Sequence, residues 1–244
     1  MVPPSGDVAV VIPARNESDR IAATVRAAAG LPGVDLLIVV DDGSTDGTAA
    51  AAGNAGASVM RHARNRGKAA AMETGAEAVR LLEDSEHRDR PRHLLFLDAD
   101  LAETAAEAAP LAEPVRAGRA DMTIAVFSTR VKQGGHGFVV GLSGSGIMRA
   151  TGWRPAEPLN GQRCLTRAAF EAARPLAPGF GAETGLTIDL IRQGMRITEV
   201  EVPLAHRATG GDWRSQAHRA RQFVDVGRAL ASRWPALCRP GAYR

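Results

Sequence analysis

The fold is decided by residues 8–30, which read VAVVIPARNESDRIAATVRAAAG. The stretch begins with an apolar, largely β-branched run (8–13), continues through a polar segment, and then places apolar side chains at helical spacing before Gly30. This order predicts a strand, a loop, a helix and a stop. A continuous apolar strand is typical of a parallel sheet that helices cover on both faces.

The same alternation continues along the chain. Further strands are predicted at residues 36–40, 57–60, 94–97, 122–126, 163–165 and 196–202. Further helices are predicted at residues 48–52, 67–82, 103–117, 184–192 and 213–234. Residues 83–92 are predicted to form a solvated charged loop, and the Gly- and Ser-rich residues 133–152 a mobile or substrate-shaped segment that is neither strand nor helix. We therefore expect one α/β domain over residues 1–244, built on a Rossmann-like, mostly parallel sheet.

Composition excludes several classes of protein. The chain has 244 residues, of which 45% are hydrophobic, enough to bury a core and unlike a disordered chain. No apolar run is long enough to cross a bilayer, and residues 1–7 lack the regions of a signal peptide, so we expect a cytoplasmic protein. The two cysteines, Cys164 and Cys238, argue against a disulfide framework. The low aromatic content of 4% predicts no nucleic-acid partner.

Mostly polar residues stand at or directly after the ends of three of the predicted strands. They are Pro13, Arg15, Glu17, Asp41, Asp42, Asp98 and Asp100. Ligands of an open parallel sheet bind beyond the carboxyl ends of its strands. The sequence therefore predicts that these residues converge on one crevice.

The pair Asp98 and Asp100 is separated by one residue at the end of the apolar run LLFL. Two carboxylates at this spacing can reach one cation, and hard oxygen ligands suit Mg²⁺ or Mn²⁺. The alternative is that Asp98 caps a helix and Asp100 is solvated.

Two further motifs allow two interpretations each. Residues 41–47, DDGSTDG, are either a turn with a helix cap or carboxylates that accept hydrogen bonds from a base or ribose. Residues 66–68, RGK, open a predicted helix whose N–H groups and lysine can meet phosphate, or they form a turn with a surface lysine. The chain has only two lysines, Lys68 and Lys132.

Together these motifs resemble a known family. The sequences VIPARNE, VVDDGSTDGT, NRGKAAAMETG and FLDADL resemble the nucleotide-sugar half of family 2 glycosyltransferases with the GT-A fold. STRVKQGG, PLNGQRCLTRAAF, GFGAETGLTIDLIRQG and ITEVEVPLAHRATGG resemble polyprenyl-phosphate sugar synthases. GFGAETGLTID and AHR also resemble glucosyl-3-phosphoglycerate synthases. The resemblance covers residues 8–211 and implies a donor half (1–130) and an acceptor half (131–244) that ends in a basic amphipathic helix.

The resemblance implies a role for each matching residue. The residues implied to bind the donor are Pro13, Arg15, Glu17, Asp41, Asp42, Lys68 and Asp98. Those implied to bind the acceptor are Arg130, Gln162 and Arg163, the last two in a loop that closes over both substrates. Asp98 and Asp100 are implied to hold the metal. The polyprenyl-phosphate synthases often have Gln as a third ligand where this chain has Ala102, and His206 is then the candidate third ligand, with a surface role as its alternative.

The expected activity is metal-dependent transfer of a hexose from a nucleoside diphosphate sugar, with UDP as first choice over GDP, to a phosphorylated acceptor such as polyprenyl phosphate. The alternatives are transfer to a small soluble acceptor, a sugar-phosphate nucleotidyltransferase, and a non-catalytic nucleotide-sugar sensor. Asp100, Arg163 and Glu183 are the expected catalytic residues, with Glu183 as base for a hydroxyl acceptor or as a helix N-terminal charge. The basic last helix leaves open a peripheral contact with the inner membrane face, and a homodimer is also expected.

Overall fold

The computed structural model describes residues 7–127, 137–204 and 213–233. Its sheet contains β1 (Val8–Ala14), β2 (Val34–Asp41), β3 (Ser58–Arg61), β4 (His93–Phe96), β5 (Met122–Phe127), β6 (Arg163–Leu165) and β7 (Ile197–Val202). Their order is β3-β2-β1-β4-β6-β5-β7, and within the described residues only β6 runs antiparallel to its neighbours. This confirms the predicted mostly parallel α/β sheet.

Eight α-helices in the described residues cover the two faces of the sheet. They are α1 (Ile21–Ala29), α2 (Thr48–Asn54), α3 (Lys68–Ser85), α4 (Ala109–Arg116), α5 (Gly137–Thr151), α6 (Arg167–Ala172), α7 (Ala182–Arg192) and α8 (Trp213–Arg233). Side chains alternate along β1, so Val10 and Ile12 pack in the core layer of α1 and α4, while Val11 packs in that of α3, α6 and α7. Both faces are buried, which explains the continuous apolar strands.

Helix α3 lies unusually close to the sheet at Gly75. A Cβ atom there would lie 2.3 Å from Val11 Cγ1 and 3.2 Å from Val40 Cγ2. Neither short valine side chain can move far, because both are buried in the sheet.

We therefore expect Gly75→Ala to lower the free energy of unfolding by roughly 1–3 kcal/mol through overpacking. Urea denaturation measures this, and Gly53→Ala in α2 is the matched control, since its added Cβ meets Val59 Cγ2 at an ordinary 3.8 Å. A Gly75→Ala protein as stable as the control would contradict the close packing.

The prediction for residues 133–152 is wrong where the structure describes them. Residues 137–151 form helix α5, whose buried residues Val139, Ser143 and Ile147 recur at helical spacing. Ser143 Oγ lies 2.7 Å from Thr184 Oγ1 in α7, and Gly146 lets Leu230 of α8 approach. Packing against two other helices thus outweighs the low helix propensity of the glycines and serines.

The prediction of a solvated charged loop over residues 83–92 is correct for residues 86–91, which form no helix or strand and are exposed or partly exposed, but it is wrong for the two ends of the segment. Helix α3 continues to Ser85, and Glu83 and Arg92 are buried at 7% and 3% exposure. Glu83 accepts a hydrogen bond from the Arg92 backbone N–H at 2.6 Å, and Arg92 Nε donates to Asp35 Oδ1 at 2.7 Å. The charge of Arg92 is paired with Asp35 and Glu86, and that of Glu83 with Arg167, which is why these two side chains can be buried.

Two helical segments differ from the prediction. Residues 103–117 are divided into a 3₁₀ helix, Ala102–Ala108, and α4, whose second residue is Pro110. A proline is tolerated there because the first helical N–H groups have no partner within the helix. Helix α6 was missed by the sequence pattern because it is short, although Thr166 caps it by accepting a hydrogen bond from Ala169 N at 3.1 Å.

The last helix, α8, packs on the core. Val226 and Ala229 are buried, whereas Phe223 and Val224 are 42% and 46% exposed. The guanidinium of Arg233 pairs with Asp189 of α7. Across the ranges the structure describes, no helix has the length and apolar character needed to span a bilayer.

Candidate active site

The site lies at the carboxyl edge of β1, β2, β3 and β4, where the chain leaves each strand. The segments 13–20, 41–48, 62–68 and 97–102 follow these strands in turn. The amino-terminal end of α7 and the segment 158–162, which leads into β6, complete the surroundings. Because β6 runs against the other strands, the residues that precede it lie at this same edge.

One lysine and two acidic side chains meet at the centre of this edge. Lys68 Nζ lies 2.7 Å from Asp98 Oδ1 and 3.0 Å from Glu183 Oε1. Lys68 is the first residue of α3, Asp98 follows β4, and Glu183 lies in the first turn of α7. The Lys68 and Asp98 side chains are 25% and 27% exposed, and that of Glu183 only 5%. Sequence analysis had assigned these residues to one site, and the structure brings them into contact.

The charge of Lys68 is stabilised by its two partners. Burial by itself lowers the pKa of Lys68, but the negative charges of Asp98 and Glu183 more than offset it and raise the pKa above its ordinary value. Lys68 is therefore positively charged at neutral pH. The position beside the Asp98 carboxylate is one that stabilises a cation.

Gly161 lies against this cluster and was not singled out from the sequence. A Cβ atom at Gly161 would lie 2.2 Å from Lys68 Nζ and 3.0 Å from Asp98 Oδ1. The backbone of segment 158–162 therefore approaches the Lys68–Asp98 pair as closely as a residue without a side chain permits. The only signal in the sequence was the pair Asn160-Gly161 just before a strand.

Asp100 supplies a second carboxylate in the turn that carries Asp98. It is partly exposed, and its backbone carbonyl accepts a hydrogen bond from Arg20 Nη1 at 3.0 Å. Within the described residues no three His, Cys, Asp or Glu side chains form a metal cluster. Arg130 and His206, the expected acceptor and third metal ligands, lie outside the described residues. The donor set at hand for a hard divalent cation is thus the two aspartates.

Asp42 holds the segment that leads to Lys68. Its carboxylate accepts hydrogen bonds from the backbone N–H groups of Arg66 and Gly67 at 2.7 and 2.8 Å and lies 2.7 Å from His62 Nδ1. Burial raises the pKa of Asp42, but these hydrogen bonds, with that of His62 first, bring it below its ordinary value. The Asp42 side chain is only 7% exposed, and its hydrogen bonds fix the backbone of residues 66 and 67. Contact of Asp42 with a base or ribose stays a prediction.

Asp41 is the last residue of β2 and has no exposed surface. Its Oδ1 accepts a hydrogen bond from Ser44 N at 2.8 Å, and its Oδ2 lies 3.2 Å from Arg61 Nε. The turn after β2 is therefore braced by the side chain that was expected to touch the donor. Direct contact of Asp41 with a nucleoside also stays a prediction.

The segment after β1 is tied to the segment after β2. Asn16 Oδ1 accepts a hydrogen bond from Thr45 N at 2.9 Å, and Glu17 N donates to Thr48 Oγ1 at 2.9 Å. Pro13 is partly buried and Arg15 is exposed beside this junction. Contact of Pro13 and Arg15 with the donor stays a prediction.

The structure corrects the role of Arg163. This residue was expected to touch the acceptor and take part in catalysis, but it is fully buried. Its guanidinium donates to the carbonyl oxygens of Pro158, Asn160 and Glu183 at 3.0, 2.8 and 3.1 Å. Burial lowers the pKa of Arg163 to about 10, which leaves it charged at neutral pH. Arg163 thus connects segment 158–162 to the start of α7 through hydrogen bonds in the protein interior.

Gln162 is likewise fully buried, and its side-chain amide has no hydrogen-bond partner within the described part of the chain. Its backbone N–H donates to Asn160 Oδ1 at 2.9 Å, and its carbonyl accepts from Ala125 N at 3.0 Å. The expected contact of Gln162 with the acceptor stays a prediction.

The mostly parallel α/β sheet matches that of glycosyltransferases of the GT-A type. Residues 9–164 match the family model described as glycosyl transferase family 2, well over half of the chain. The chain therefore belongs to glycosyl transferase family 2, and it is a glycosyltransferase. The resemblance of the motifs to family 2 glycosyltransferases with the GT-A fold, and to glucosyl-3-phosphoglycerate synthases, is confirmed.

Individual relatives agree with this assignment. The chain is 27% identical over 215 residues to glycosyltransferase AglJ of Haloferax volcanii, a match covering 86% of this chain and 67% of that protein. It is 31% identical over 199 residues to glucosyl-3-phosphoglycerate synthase of Mycolicibacterium paratuberculosis, covering 75% of this chain and 59% of that protein. The crystal structure of the Mycobacterium tuberculosis synthase with Mn²⁺, UDP-glucose and phosphoglyceric acid matches with a TM-score of 0.70 and 26% identity, over 93% of this chain and 79% of that one.

Proposed function

We propose that this protein transfers a hexose from a nucleoside diphosphate sugar, with UDP-glucose as first candidate, to a phosphorylated acceptor. The observation that carries the proposal is the Lys68–Asp98–Glu183 cluster at the carboxyl edge, next to Asp100. It combines a cation with carboxylates at the place where an open parallel sheet binds its ligand. The similarity to a structure that holds UDP-glucose and Mn²⁺ supports the donor class.

Asp98 and Asp100 are the residues that would hold Mg²⁺ or Mn²⁺, with His206 as the proposed third ligand. Such an ion, when bound, neutralises charge on a leaving nucleoside diphosphate. Lys68 is proposed to neutralise charge on the same nucleoside diphosphate, since its ammonium group lies against Asp98 at this edge. The residues of segment 41–48 and those after β1 are proposed to hold the nucleoside.

The acceptor is proposed to be a small phosphorylated acid. This is supported by the two glucosyl-3-phosphoglycerate synthases among the relatives, one of them crystallised with phosphoglyceric acid. Arg130 is proposed to bind the acceptor phosphate. A hydroxyl acceptor needs a base, and Glu183, whose Oε1 lies 3.0 Å from Lys68 Nζ, is the proposed one. A phosphate acceptor is already ionised near neutral pH and requires mainly positioning.

A lipid-linked phosphate is the second candidate acceptor, favoured by a different observation. Phe138 of α5 is 76% exposed and stacks on Phe223 of α8 with ring centroids 5.7 Å apart. Val224 and Arg228 of α8 are also exposed. Exposed apolar side chains beside arginines are typical of helices that rest on anionic lipid.

The test of function is a screen for product. The protein is incubated with UDP-glucose or GDP-linked hexoses, Mn²⁺, and 3-phosphoglycerate, polyprenyl phosphate or simple sugars. Transfer with release of nucleoside diphosphate supports the proposal, and the acceptor used decides between the two candidates. In a separate incubation with UTP and a sugar 1-phosphate, release of pyrophosphate and formation of the nucleoside diphosphate sugar would instead indicate a nucleotidyltransferase. Donor binding without turnover would indicate a sensor. Membership in family 2 supports the transferase.

Membrane contact predicts a specific effect of Phe138. Replacing Phe138 with Ser is expected to weaken binding to vesicles with 30 mol% anionic lipid by about tenfold, because one large apolar side chain is lost from the contact. Vesicle sedimentation measures this.

The matched control is Leu81→Ser in α3, which removes an apolar side chain that is 55% exposed and lies outside the Phe138–Phe223 surface. Equal binding by both variants and the wild-type protein would contradict the membrane proposal.

The homodimer and the cytoplasmic location stay predictions. Analytical ultracentrifugation would check the homodimer.

A further inference from the structure

The turn that carries Asp98 and Asp100 is held by helix α1. Thr24 of α1 is fully buried, and its Oγ1 donates a hydrogen bond to the Ala99 carbonyl at 2.8 Å. The same Oγ1 accepts a hydrogen bond from the Ala102 backbone N–H at 2.8 Å. One hydroxyl group therefore bridges a backbone acceptor and a backbone donor on either side of Asp100.

A second residue of the same region holds the turn at a third atom. Arg20, directly before α1, donates from Nη1 to the Asp100 carbonyl at 3.0 Å. Three backbone atoms of the turn, in Ala99, Asp100 and Ala102, are thus fixed by two side chains. Since the carboxylates of Asp98 and Asp100 extend from this backbone, their directions depend on those contacts.

The turn also contains a backbone conformation that costs energy. Ala102 has φ of +50°, the left-handed region that residues with a Cβ seldom adopt. Such a conformation persists where surrounding contacts determine it. The hydrogen bond from Ala102 N to Thr24 Oγ1 is one such contact here.

The needs of the helix itself do not explain Thr24. Its neighbours on the buried face of α1 are Ile21, Val25 and Ala28, all apolar. A threonine inside a helix offers its hydroxyl to the carbonyl four residues earlier, and Thr24 Oγ1 lies 3.3 Å from the Arg20 carbonyl. The shorter contact, 2.8 Å, goes instead to Ala99.

We propose that Thr24, with Arg20, is a positioning residue that sets the paired-aspartate turn in the geometry required to bind a divalent cation with the nucleotide. The inference rests on the proposed function, because it assumes that Asp98 and Asp100 hold that cation. Thr24 itself touches neither substrate nor ion; it acts through the backbone of the turn.

The experiment measures Mn²⁺ affinity in the presence of UDP, by the electron paramagnetic resonance signal of free Mn²⁺. Thr24→Val keeps the shape and removes both hydrogen bonds, and it is expected to weaken binding by about tenfold, the effect of one or two net hydrogen bonds. Thr24→Ser keeps the hydroxyl and is expected to bind like the wild-type protein. Adding Ala102→Gly to Thr24→Val is expected to recover part of the affinity, because glycine adopts the left-handed conformation freely.

Thr123→Val is the matched control. Thr123 is also fully buried, near the amino end of β5 and away from the site. Its Oγ1 donates to the Leu111 carbonyl at 2.7 Å and accepts from Cys164 N at 3.3 Å. It is expected to lower the thermal unfolding temperature without changing Mn²⁺ affinity. Equal weakening by Thr24→Val and Thr123→Val, or none by Thr24→Val, would overturn the inference while leaving the proposed function intact.

Arg20→Met covers the case in which Thr24→Val does not fold. Arg20 is only partly buried, and its replacement removes the donor to the Asp100 carbonyl. Binding of Mn²⁺ is expected to weaken about three- to tenfold. Unchanged affinity in this variant would also overturn the inference. Absence of any Mn²⁺ and UDP binding by the wild-type protein would overturn both this inference and the proposed function.

Discussion

Replacing Asp100 with Asn is expected to lower kcat/KM for hexosyl transfer on the order of 100- to 1000-fold, because a preorganised charge at the reacting phosphates is lost. The substitution preserves size and leaves the Lys68–Asp98 contact in place, since Lys68 pairs with Asp98 and Glu183. The measurement is the initial rate of nucleoside diphosphate release over a range of Mn²⁺ concentrations. Excess Mn²⁺ should restore part of the lost rate if the missing carboxylate contributes to affinity for the ion.

Asp84→Asn is the control for this variant. Asp84 is 63% exposed near the end of α3 and pairs only weakly at the surface with Arg80. It removes the same charge from the protein at a distance from the site, and its kcat/KM is expected to equal that of the wild-type protein. An Asp100→Asn enzyme with wild-type kinetics would exclude Asp100 from the site of metal binding.

Replacing Lys68 with Met is expected to have the second largest effect. The substitution keeps most of the apolar stem but leaves Asp98 and Glu183 without the cation that lies between them. An uncompensated carboxylate as buried as Glu183 costs roughly 3–5 kcal/mol of stability. In addition, kcat/KM should fall about 100-fold because positive charge at the leaving group is lost.

Activity and stability should respond differently to this variant. A divalent cation can partly replace the lost positive charge at Asp98, so Mn²⁺ should raise the thermal unfolding temperature of Lys68→Met more than that of the wild-type protein. Arg80→Met is the control on the same helix, because Arg80 is 44% exposed and pairs with surface carboxylates. If Lys68→Met and Arg80→Met had the same kcat/KM, Lys68 would have no role in transfer.

Sequence reasoning located the carboxyl edge because polar residues directly follow apolar strands, a pattern set by local chain direction. It placed Lys68, Asp98 and Glu183 in one site through motifs and the family resemblance. It could not predict that the three side chains form one ion-paired cluster, because that depends on how α7 and the antiparallel strand β6 return to this edge. Pairing between distant segments leaves no local pattern in a single sequence.

The residues that support the site were harder to predict than those in it. Arg163 has the charge expected of an acceptor ligand. The structure shows that it is buried and that its guanidinium donates hydrogen bonds to backbone carbonyls instead. The sequence contains one indication of Thr24, since it is a polar residue on the otherwise apolar face of α1, but sequence reasoning did not recognise it. The helix over 137–151 was missed because an argument from helix propensity counts its glycines as helix breakers, whereas Gly146 permits close packing against Leu230 of α8.

The central claim is that a nucleoside diphosphate sugar binds at this edge with a divalent cation on the paired aspartates. The most direct measurement is an anomalous difference map from crystals of the wild-type protein grown with UDP-glucose and Mn²⁺. The account predicts a manganese peak in contact with the carboxylates of Asp98 and Asp100, with the diphosphate on its far side. UDP-glucose bound elsewhere on the chain, or bound at this edge with the manganese away from both aspartates, would contradict it.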